Sequence, residues 1–265
     1  MTDKQPRRLG AFAAVALLFA AGGAALGWWY EHRSIAATGS EDAELEASLA
    51  SAGIDGKERA AIEGLVRSYI LEHPEVLPEA MERLQQREAA AQIGPMRGAI
   101  ETPFPGAVLG NPNGKVTLVE FTDFACTYCR QSVKALDDLI AKNPDLRVVV
   151  RELPIIAPES APAARMALAA AAQGRYPAYH KAMFEGARPS EESIAAAAGV
   201  AGLDLAAARS FAARPDVEEE LKRNLQMARQ LGINGTPAWV IGDQLVHGAV
   251  PAADLQAAID AARKS

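Results

Sequence analysis

Two cysteines that lie at the junction of a predicted strand and a predicted helix constrain the fold of this chain most strongly. Val116–Thr122 (VTLVEFT) is a β-rich run, Cys126 and Cys129 follow it, and a helical pattern extends over about 130–141. The run 146–153 (LRVVVREL) predicts a second strand, buried on both faces. A strand, a helix and a second strand in this order predict a parallel crossover. The cysteine pair therefore lies at the strand-to-helix turn of a βαβ unit.

The rest of the carboxyl-terminal region completes an α/β domain. About 160–231 is rich in Ala and interrupted by Gly and Pro, which predicts several short helices. Two short strands follow at 238–241 and 244–247, on either side of a Gly-Asp turn. A helix is predicted over about 252–263. This order is typical of an α/β protein with a thioredoxin fold and a helical insertion, and the domain covers 107–265.

Composition excludes several other classes of protein. Two cysteines in 265 residues cannot build a scaffold of several disulfides, and without clustered histidines they cannot complete a structural zinc site. A net charge of −6 argues against nucleic-acid binding. The chain is 49% hydrophobic and 23% charged, which is the composition of a globular protein.

The spacing of the cysteines at a helix amino terminus indicates redox chemistry. Unpaired backbone N–H groups and the helix dipole favour a thiolate there. We therefore expect Cys126 to be the exposed nucleophile and Cys129, one turn later, to be the shielded resolving thiol. Thr127 and Tyr128 offer side chains and N–H groups to the Cys126 sulfur. A structural disulfide and a Cu(I) or zinc site remain open as alternatives.

Three further residues are candidates for the site. Glu120 lies in an otherwise apolar strand, six residues before Cys126. If it is buried below the pair, its raised pKa suits it to accept the proton that Cys129 loses; an exposed strand glutamate is the alternative. Thr236 and Pro237 directly precede a late strand. In thioredoxin folds a proline here is cis and abuts the active site, which leaves the preceding backbone free to pair with an extended substrate; an ordinary trans turn proline is the alternative.

The amino-terminal segment predicts export. No residue between 9 and 30 is charged, and the run is long enough to cross a bilayer as a helix. Basic residues precede it and aromatic residues end it: Lys4, Arg7 and Arg8 before, and Trp28, Trp29 and Tyr30 after. Both features are typical of an anchor whose amino terminus stays in the cytoplasm. We expect 1–33 to be a membrane anchor, with a cleaved signal sequence as the alternative.

A tether and a helical stalk are predicted between the anchor and the main domain. The segment 34–93 begins with small, polar and acidic residues and continues with two helical patterns, about 57–73 and 75–92. Two helices of this size cannot bury their apolar stripes alone. They therefore dock on the main domain or associate with other copies of the chain. The Gly- and Pro-rich segment 94–106 predicts a flexible linker.

The main domain resembles the DsbA-type thioredoxin-fold oxidoreductases. The resemblance rests on EFTDFACTYC and GTPAWVIG, which occur in the order and at the separation typical of the family. Glu120 falls where that family has a buried acidic residue. The stretch 67–88 (RSYILEHPEVLPEAMERLQQRE) is similar to the amino-terminal segment of the ScsC (suppressor of copper sensitivity) group. In some members of that group this segment assembles trimers, and the catalytic domains move on a flexible linker.

The resemblance implies a thiol:disulfide oxidoreductase on the periplasmic side of the bacterial inner membrane. CTYC shares its Tyr with many isomerases, and Thr236 before Pro237 is usual in them. A disulfide isomerase or reductase is therefore the first expectation, a disulfide-donating oxidase the second, and a Cu(I)-binding copper-tolerance protein an alternative of another class. No cofactor is expected beyond a redox-active Cys126–Cys129 disulfide. The expected partners are exported proteins with cysteines, a DsbD/ScsB-like reductant or a DsbB-like oxidant, the membrane through 9–30, and other copies of the chain.

Overall fold

The computed structural model describes residues 47–49 and 51–264. The predicted anchor or signal sequence, 1–33, lies outside these residues, and so does the tether predicted over 34–44. Within the described residues no helix is both long and apolar enough to span a membrane. The chain divides into two compact units, with the boundary after Leu77.

The first unit contains helix α1, Gly56–Glu72. Asp55 caps it by accepting hydrogen bonds from the N–H groups of Lys57 and Glu58. In return, the Glu58 carboxylate accepts a hydrogen bond from the Asp55 N–H at 3.0 Å. The helix ends at His73, because the residue before a proline avoids helical geometry. None of the residues of α1 is buried. Four side chains of its apolar face are at least half exposed, Ile62 50%, Leu65 70%, Val66 51% and Tyr69 53%, and Ile70 on the same face is partly buried.

Helix α2, Val76–Glu101, includes much of the segment that was predicted to be a linker, so that prediction was wrong for 94–101. The segment 94–106 was expected to be flexible, but it is helical as far as Glu101, with Pro95 inside the helix. Burial explains the difference, because Ile93 and Ile100 are fully buried in an apolar cluster of the main domain. Packing of these two side chains outweighs the weak helix propensity of the Gly and Pro residues around them.

A five-stranded sheet forms the centre of the second unit, in the order β1-β3-β2-β4-β5. The bounds of its strands are β1 Val108–Gly110, β2 Val116–Thr122, β3 Leu146–Glu152, β4 Ala238–Ile241 and β5 Gln244–His247. Strands β2 and β3 are parallel, whereas β1 pairs antiparallel with β3, β4 with β2, and β5 with β4. The predicted thioredoxin-like α/β fold is therefore confirmed, and only the short β1 was not predicted.

Helices cover the sheet and form the insertion. Helix α3, Thr127–Lys142, connects β2 to β3. The helical segment predicted over about 160–231 contains five helices: α4 Ser160–Ala172, α5 Tyr176–Glu185, α6 Glu191–Val200, α7 Leu205–Ala212 and α8 Pro215–Gln230. Helix α9, Ala252–Ala262, follows β5.

The two faces of the sheet bury two separate apolar clusters. One cluster contains Leu118, Val148 and Val150 together with both cysteines. The other contains Val119, Phe121 and Val149 together with residues of α2 and α8. Since side chains alternate along a strand, Glu120 and Thr122 lie on the same face as the cysteines.

The second face also holds a buried ion pair that fixes the end of α2. Arg151 of β3 donates to the Glu220 carboxylate of α8 at 2.8 Å, and the side chains of the two residues are 2% and 6% exposed. Its Nε and Nη2 groups donate to backbone carbonyls of α2 and of the residue after it: Ala99, Ile100 and Thr102. One arginine therefore joins the sheet, α8 and the carboxyl terminus of α2.

Glu220→Gln should lower the free energy of unfolding by about 3 kcal/mol, because it leaves the Arg151 charge buried without its counter-ion. Glu218→Gln is the matched control, since Glu218 lies on the same helix and pairs with Arg165 where both side chains are more than a third exposed. That change should cost less than about 1 kcal/mol. Urea unfolding of both variants at neutral pH measures the difference, and equal losses would contradict the role given to the buried pair.

Candidate active site

A tight turn after β2 places the first cysteine. The Asp123 carboxylate accepts the Ala125 N–H at 2.8 Å, and the Cys126 N–H donates to the Asp123 carbonyl oxygen at 3.0 Å. An aspartate that bonds the backbone two residues later is typical of such turns. The turn brings the chain from the end of β2 directly into α3, with Cys126 as the N-cap residue.

The Cys126 sulfur occupies the position of an N-cap acceptor. The Cys129 N–H donates to Cys126 Sγ at 3.3 Å, and the Sγ lies 3.1 Å from the Thr236 carbonyl oxygen, to which the neutral thiol can donate. The pKa of Cys126 falls from 9.0 to about 5. The Cys129 thiol is the main cause, and the Thr236 side chain and the N–H groups of Cys129 and Tyr128 add to it, while burial opposes the fall. The site therefore favours the Cys126 thiolate near neutral pH.

The accessibility of the pair differs in part from the expectation. Cys129 is fully buried, as expected of a shielded thiol, but Cys126 is only 5% exposed rather than open to solvent. The Thr236 carbonyl, which lies just before β4, is close to the Cys126 sulfur and contributes to this burial. Between the cysteines, Thr127 is exposed and the Tyr128 ring is 62% exposed. Tyr128 therefore supplies a backbone N–H to the sulfur and presents its ring to solvent.

The environment of Cys129 has the opposite effect on its thiol. Burial raises the pKa of Cys129 well above its usual range, and the hydrogen bond to Cys126 and the negative charge of Glu120 raise it further. Cys129 therefore keeps its proton while Cys126 is a thiolate. The two thiols, one helical turn apart, are in opposite protonation states.

Glu120 is buried, which excludes the alternative of an exposed strand glutamate. Its residue is 2% exposed, and its Oε2 has no hydrogen-bond partner within the described residues. Burial raises the pKa of Glu120 from 4.5 to about 8, the negative charge of Cys126 adds to the rise, and the Thr122 hydroxyl opposes it. The carboxyl is close enough to both cysteines for charge coupling with each. It is thus a group that can exchange a proton near neutral pH.

The Thr236–Pro237 peptide bond is cis, as the sequence predicted. Strand β4 begins directly afterwards, and its register pairs Ala238 with Phe121 at the end of β2. This pairing brings the Thr236 carbonyl to Cys126. The structure therefore places all the predicted site residues, Glu120, the four residues of CTYC and the Thr-Pro pair, at one end of the sheet.

Two acidic residues at this end were not singled out from the sequence. Asp123, 1% exposed, also accepts the N–H groups of Ile155 and Ile156, at 2.8 and 2.9 Å. Glu152, also 1% exposed, accepts the Tyr176 hydroxyl at 2.7 Å. The Asp in FTDF, just before the cysteines, is a signal for the turn. Glu152 has no such signal, because its partner lies 24 residues away.

Both cysteines are free thiols in the structure. Within residues 47–49 and 51–264, no group of three or more His, Cys, Asp or Glu side chains is arranged to hold a metal ion.

Replacing the buried glutamate should change how stability depends on pH. Because the folded-state pKa of Glu120 is raised, its contribution to stability is complete below pH 4.5 and is lost as the pH rises through about 8. Cys126 has the opposite sign in the reduced protein: its contribution is lost as the pH falls through about 5. In reduced Glu120→Gln only the cysteine contribution remains, so the variant gains stability relative to reduced wild type between pH 5 and 8.

Urea unfolding of both reduced proteins across this pH range measures the gain, which should reach up to about 1.4 kcal/mol per pH unit. Glu191→Gln, on the exposed first turn of α6, is the matched control and should leave the pH dependence unchanged. Parallel curves for Glu120→Gln and wild type would show that Glu120 ionises normally in the folded state.

Comparison with known families gives two matches. The model of the DSBA-like thioredoxin domain matches 117–260, which includes the cysteines, Glu120 and the Thr-Pro pair. The model of the copper resistance protein ScsC N-terminal domain matches 58–91, which covers most of α1 and the first part of α2.

Solved structures and a curated relative are also similar to this chain. A thioredoxin-like oxidoreductase from Silicibacter pomeroyi is 39% identical, with 64% of this chain and 98% of that one covered, at a TM-score of 0.61. A linker-deletion variant of Proteus mirabilis ScsC is 26% identical, with 80% and 97% covered and the same TM-score. The Na(+)/H(+) antiporter NhaA of Herminiimonas arsenicoxydans is 33% identical over 159 residues. That match covers 59% of this chain but only 25% of the antiporter.

Proposed function

The chain belongs to the family of DSBA-like thioredoxin domain proteins. We propose that it isomerises or reduces disulfide bonds in exported proteins, at the periplasmic side of the inner membrane. The observation that carries disulfide exchange is the contrast between the two thiols. Cys126 is a stabilised thiolate at a helix amino terminus, and Cys129 is a buried, protonated thiol within reach of it.

The first step is attack by the Cys126 thiolate on one sulfur of a client disulfide. A Cys126–client disulfide forms, the client S–S bond breaks, and the second client sulfur leaves as a thiolate. In isomerisation that thiolate, or another client thiolate, attacks the mixed disulfide and releases Cys126 as a thiolate. No net electrons are transferred, and the client has a new disulfide pairing.

Reduction uses the second thiol. The Cys129 thiol gives its proton to the Glu120 carboxylate, and the resulting thiolate attacks Cys126 Sγ. The Cys126–Cys129 disulfide forms and the client cysteine leaves as a thiolate, so that the client gains two electrons and the pair loses two. A membrane reductant of the DsbD/ScsB-like kind would then return the pair to the dithiol.

Charge coupling gives Glu120 the correct timing for this step. The negative charge of Cys126 raises the pKa of Glu120, so the carboxyl tends to hold a proton while Cys126 is a thiolate. In the mixed disulfide Cys126 carries no charge, and this contribution is absent. The carboxylate is therefore easier to form at the stage at which Cys129 must lose its proton.

The amino-terminal helix supports isomerisation over simple reduction. The apolar stripe of α1 (Ile62, Leu65, Val66 and Tyr69) is at least half exposed, and the segment matches the ScsC N-terminal domain. We propose that this stripe associates with the stripes of other copies in a homo-oligomer, such as a trimer. Several active sites around one misfolded client make each further encounter effectively intramolecular, which suits an enzyme that must test alternative disulfides.

Two other functions have specific support. The low pKa of Cys126 stabilises the reduced form, which makes the disulfide more oxidising and favours a disulfide-donating oxidase with a DsbB-like partner. The match to a copper resistance domain favours a different class of function, in which the two soft thiolates of Cys126 and Cys129 bind Cu(I). Titration with Cu(I) against a competing chelator addresses the second, since binding no tighter than that of a generic dithiol excludes it.

The redox state of the pair in living cells decides between isomerase and oxidase. Free thiols are trapped in intact cells with an alkylating mass tag, and Cys126→Ser and Cys129→Ser calibrate the shift of a single tag. We expect mainly the doubly tagged, reduced protein, because an isomerase needs the free Cys126 thiolate to attack. A pair that is fully oxidised at steady state would contradict the isomerase proposal and support the oxidase.

A further inference from the structure

Exposed apolar side chains of the catalytic domain concentrate around the cysteines. Among residues 107–264 four large hydrophobic side chains are exposed: Tyr128, Ile155, Ile156 and Val200. Tyr128 lies between the cysteines, and Ile155 and Ile156 lie on the loop that follows β3. Single exposed apolar residues are ordinary, but a group of them beside a reactive thiol marks an interaction surface.

Asp123 holds this loop against the cysteine turn. Its Oδ1 accepts the Ala125 N–H, and its Oδ2 accepts the N–H groups of Ile155 and Ile156. The two backbone segments therefore meet at one buried carboxylate, a few ångströms apart. The position of the loop is fixed relative to Cys126 by charge-assisted hydrogen bonds rather than by loop sequence alone.

A groove begins at this loop and leads towards α8. Its volume is about 140 Å³, and apolar side chains of the loop and of α8 form its walls: Leu153, Pro154, Ile155, Leu221 and Leu225. Ala161, at the first turn of α4, also lines it. A cavity of about 150 Å³ lined by aliphatic side chains accommodates a benzene ring, so the groove has room for one branched aliphatic or aromatic side chain.

At the rim of the groove, two basic side chains pair with one carboxylate. Arg165 donates to the Glu218 carboxylate at 2.8 Å, and the Lys222 ammonium lies 3.8 Å from the same carboxylate. The apolar walls lie inside this rim. An apolar side chain can therefore enter without desolvating an unpaired charge, whereas a charged side chain would find no free counter-ion in the walls.

We propose that the groove beside Ile155 is a subsite for one branched aliphatic or aromatic side chain of a client polypeptide, close in sequence to the cysteine that reacts with Cys126. The inference rests on the proposed function, because it assigns the side-chain preference of the same active site. Such side chains are buried in folded proteins and exposed in misfolded ones. The subsite therefore directs the enzyme towards disulfides of unfolded segments.

The test uses disulfide-linked peptides and three variants. Paired peptides differ only by Leu or Ser at one position, which is scanned along the residues flanking the cysteine, and kcat/KM for reduction is measured for each pair. Ala161→Phe fills the groove, and Leu225→Ser removes part of its apolar wall. Val200→Ser is the matched control, because Val200 is 78% exposed and does not line the groove.

Wild type and Val200→Ser should prefer the Leu peptide by about tenfold at the best position, since a buried aliphatic group contributes discrimination of this order. In Ala161→Phe and Leu225→Ser the ratio of kcat/KM for the Leu peptide to kcat/KM for the Ser peptide should fall towards one. The value for the Ser peptide itself should stay at that of the wild type. If Ala161→Phe does not fold, Leu225→Ser decides by the same ratio.

Two results would overturn the subsite: a wild-type ratio near one at every position, or a tenfold ratio that survives in the folded groove variants. Either result leaves the oxidoreductase function intact, because wild type still reduces both peptides. Absence of wild-type activity towards all peptides would instead overturn the proposed function.

Discussion

The position of the Cys126 sulfur at the amino terminus of α3 is the interaction on which the rest of the site depends. A thiolate there accepts the N–H groups that a helix leaves unpaired in its first turn, and it needs no metal or basic side chain to be stabilised. The fold supplies this position through β2, whose carboxyl end leads into the Asp123 turn. The parallel partner β3 and the antiparallel β4 bring the Ile155 loop and the Thr236 carbonyl to the same end.

On the same face of the sheet, the pKa values of neighbouring groups shift in opposite directions. Burial keeps Cys129 protonated and raises the pKa of Glu120 towards neutrality, while the Cys129 thiol and the helix terminus lower the pKa of Cys126. Negative charge on one group disfavours it on the others, so the three share protons as a coupled set. Cys126 is therefore suited to attack the client disulfide and Cys129 to resolve the mixed disulfide, although the two lie only one helical turn apart.

Local sequence was sufficient to predict the residues at the centre of the site. The cysteine pair and Glu120 could be identified because strand periodicity and helix-terminus chemistry are short-range, whereas the cis Thr236–Pro237 bond was expected from what is usual in thioredoxin folds. Long-range packing decided what was missed. Helix α2 continues into the predicted linker as far as Glu101 because Ile93 and Ile100 are buried. Cys126 is less exposed than expected because Thr236, 110 residues later, lies against it. The Glu152–Tyr176 contact likewise depends on the helical insertion.

The central claim is that the hydrogen bond from the Cys129 thiol, together with the helix terminus, makes Cys126 a thiolate near neutral pH while Cys129 stays protonated. Ultraviolet absorbance of the thiolate, followed against pH in the reduced protein, tests it directly. We expect one thiolate to appear with a midpoint near pH 5, to persist in Cys129→Ala with a higher midpoint, and to disappear in Cys126→Ser. A midpoint near 9, the ordinary value for a cysteine, or a transition that survives Cys126→Ser, would contradict the account.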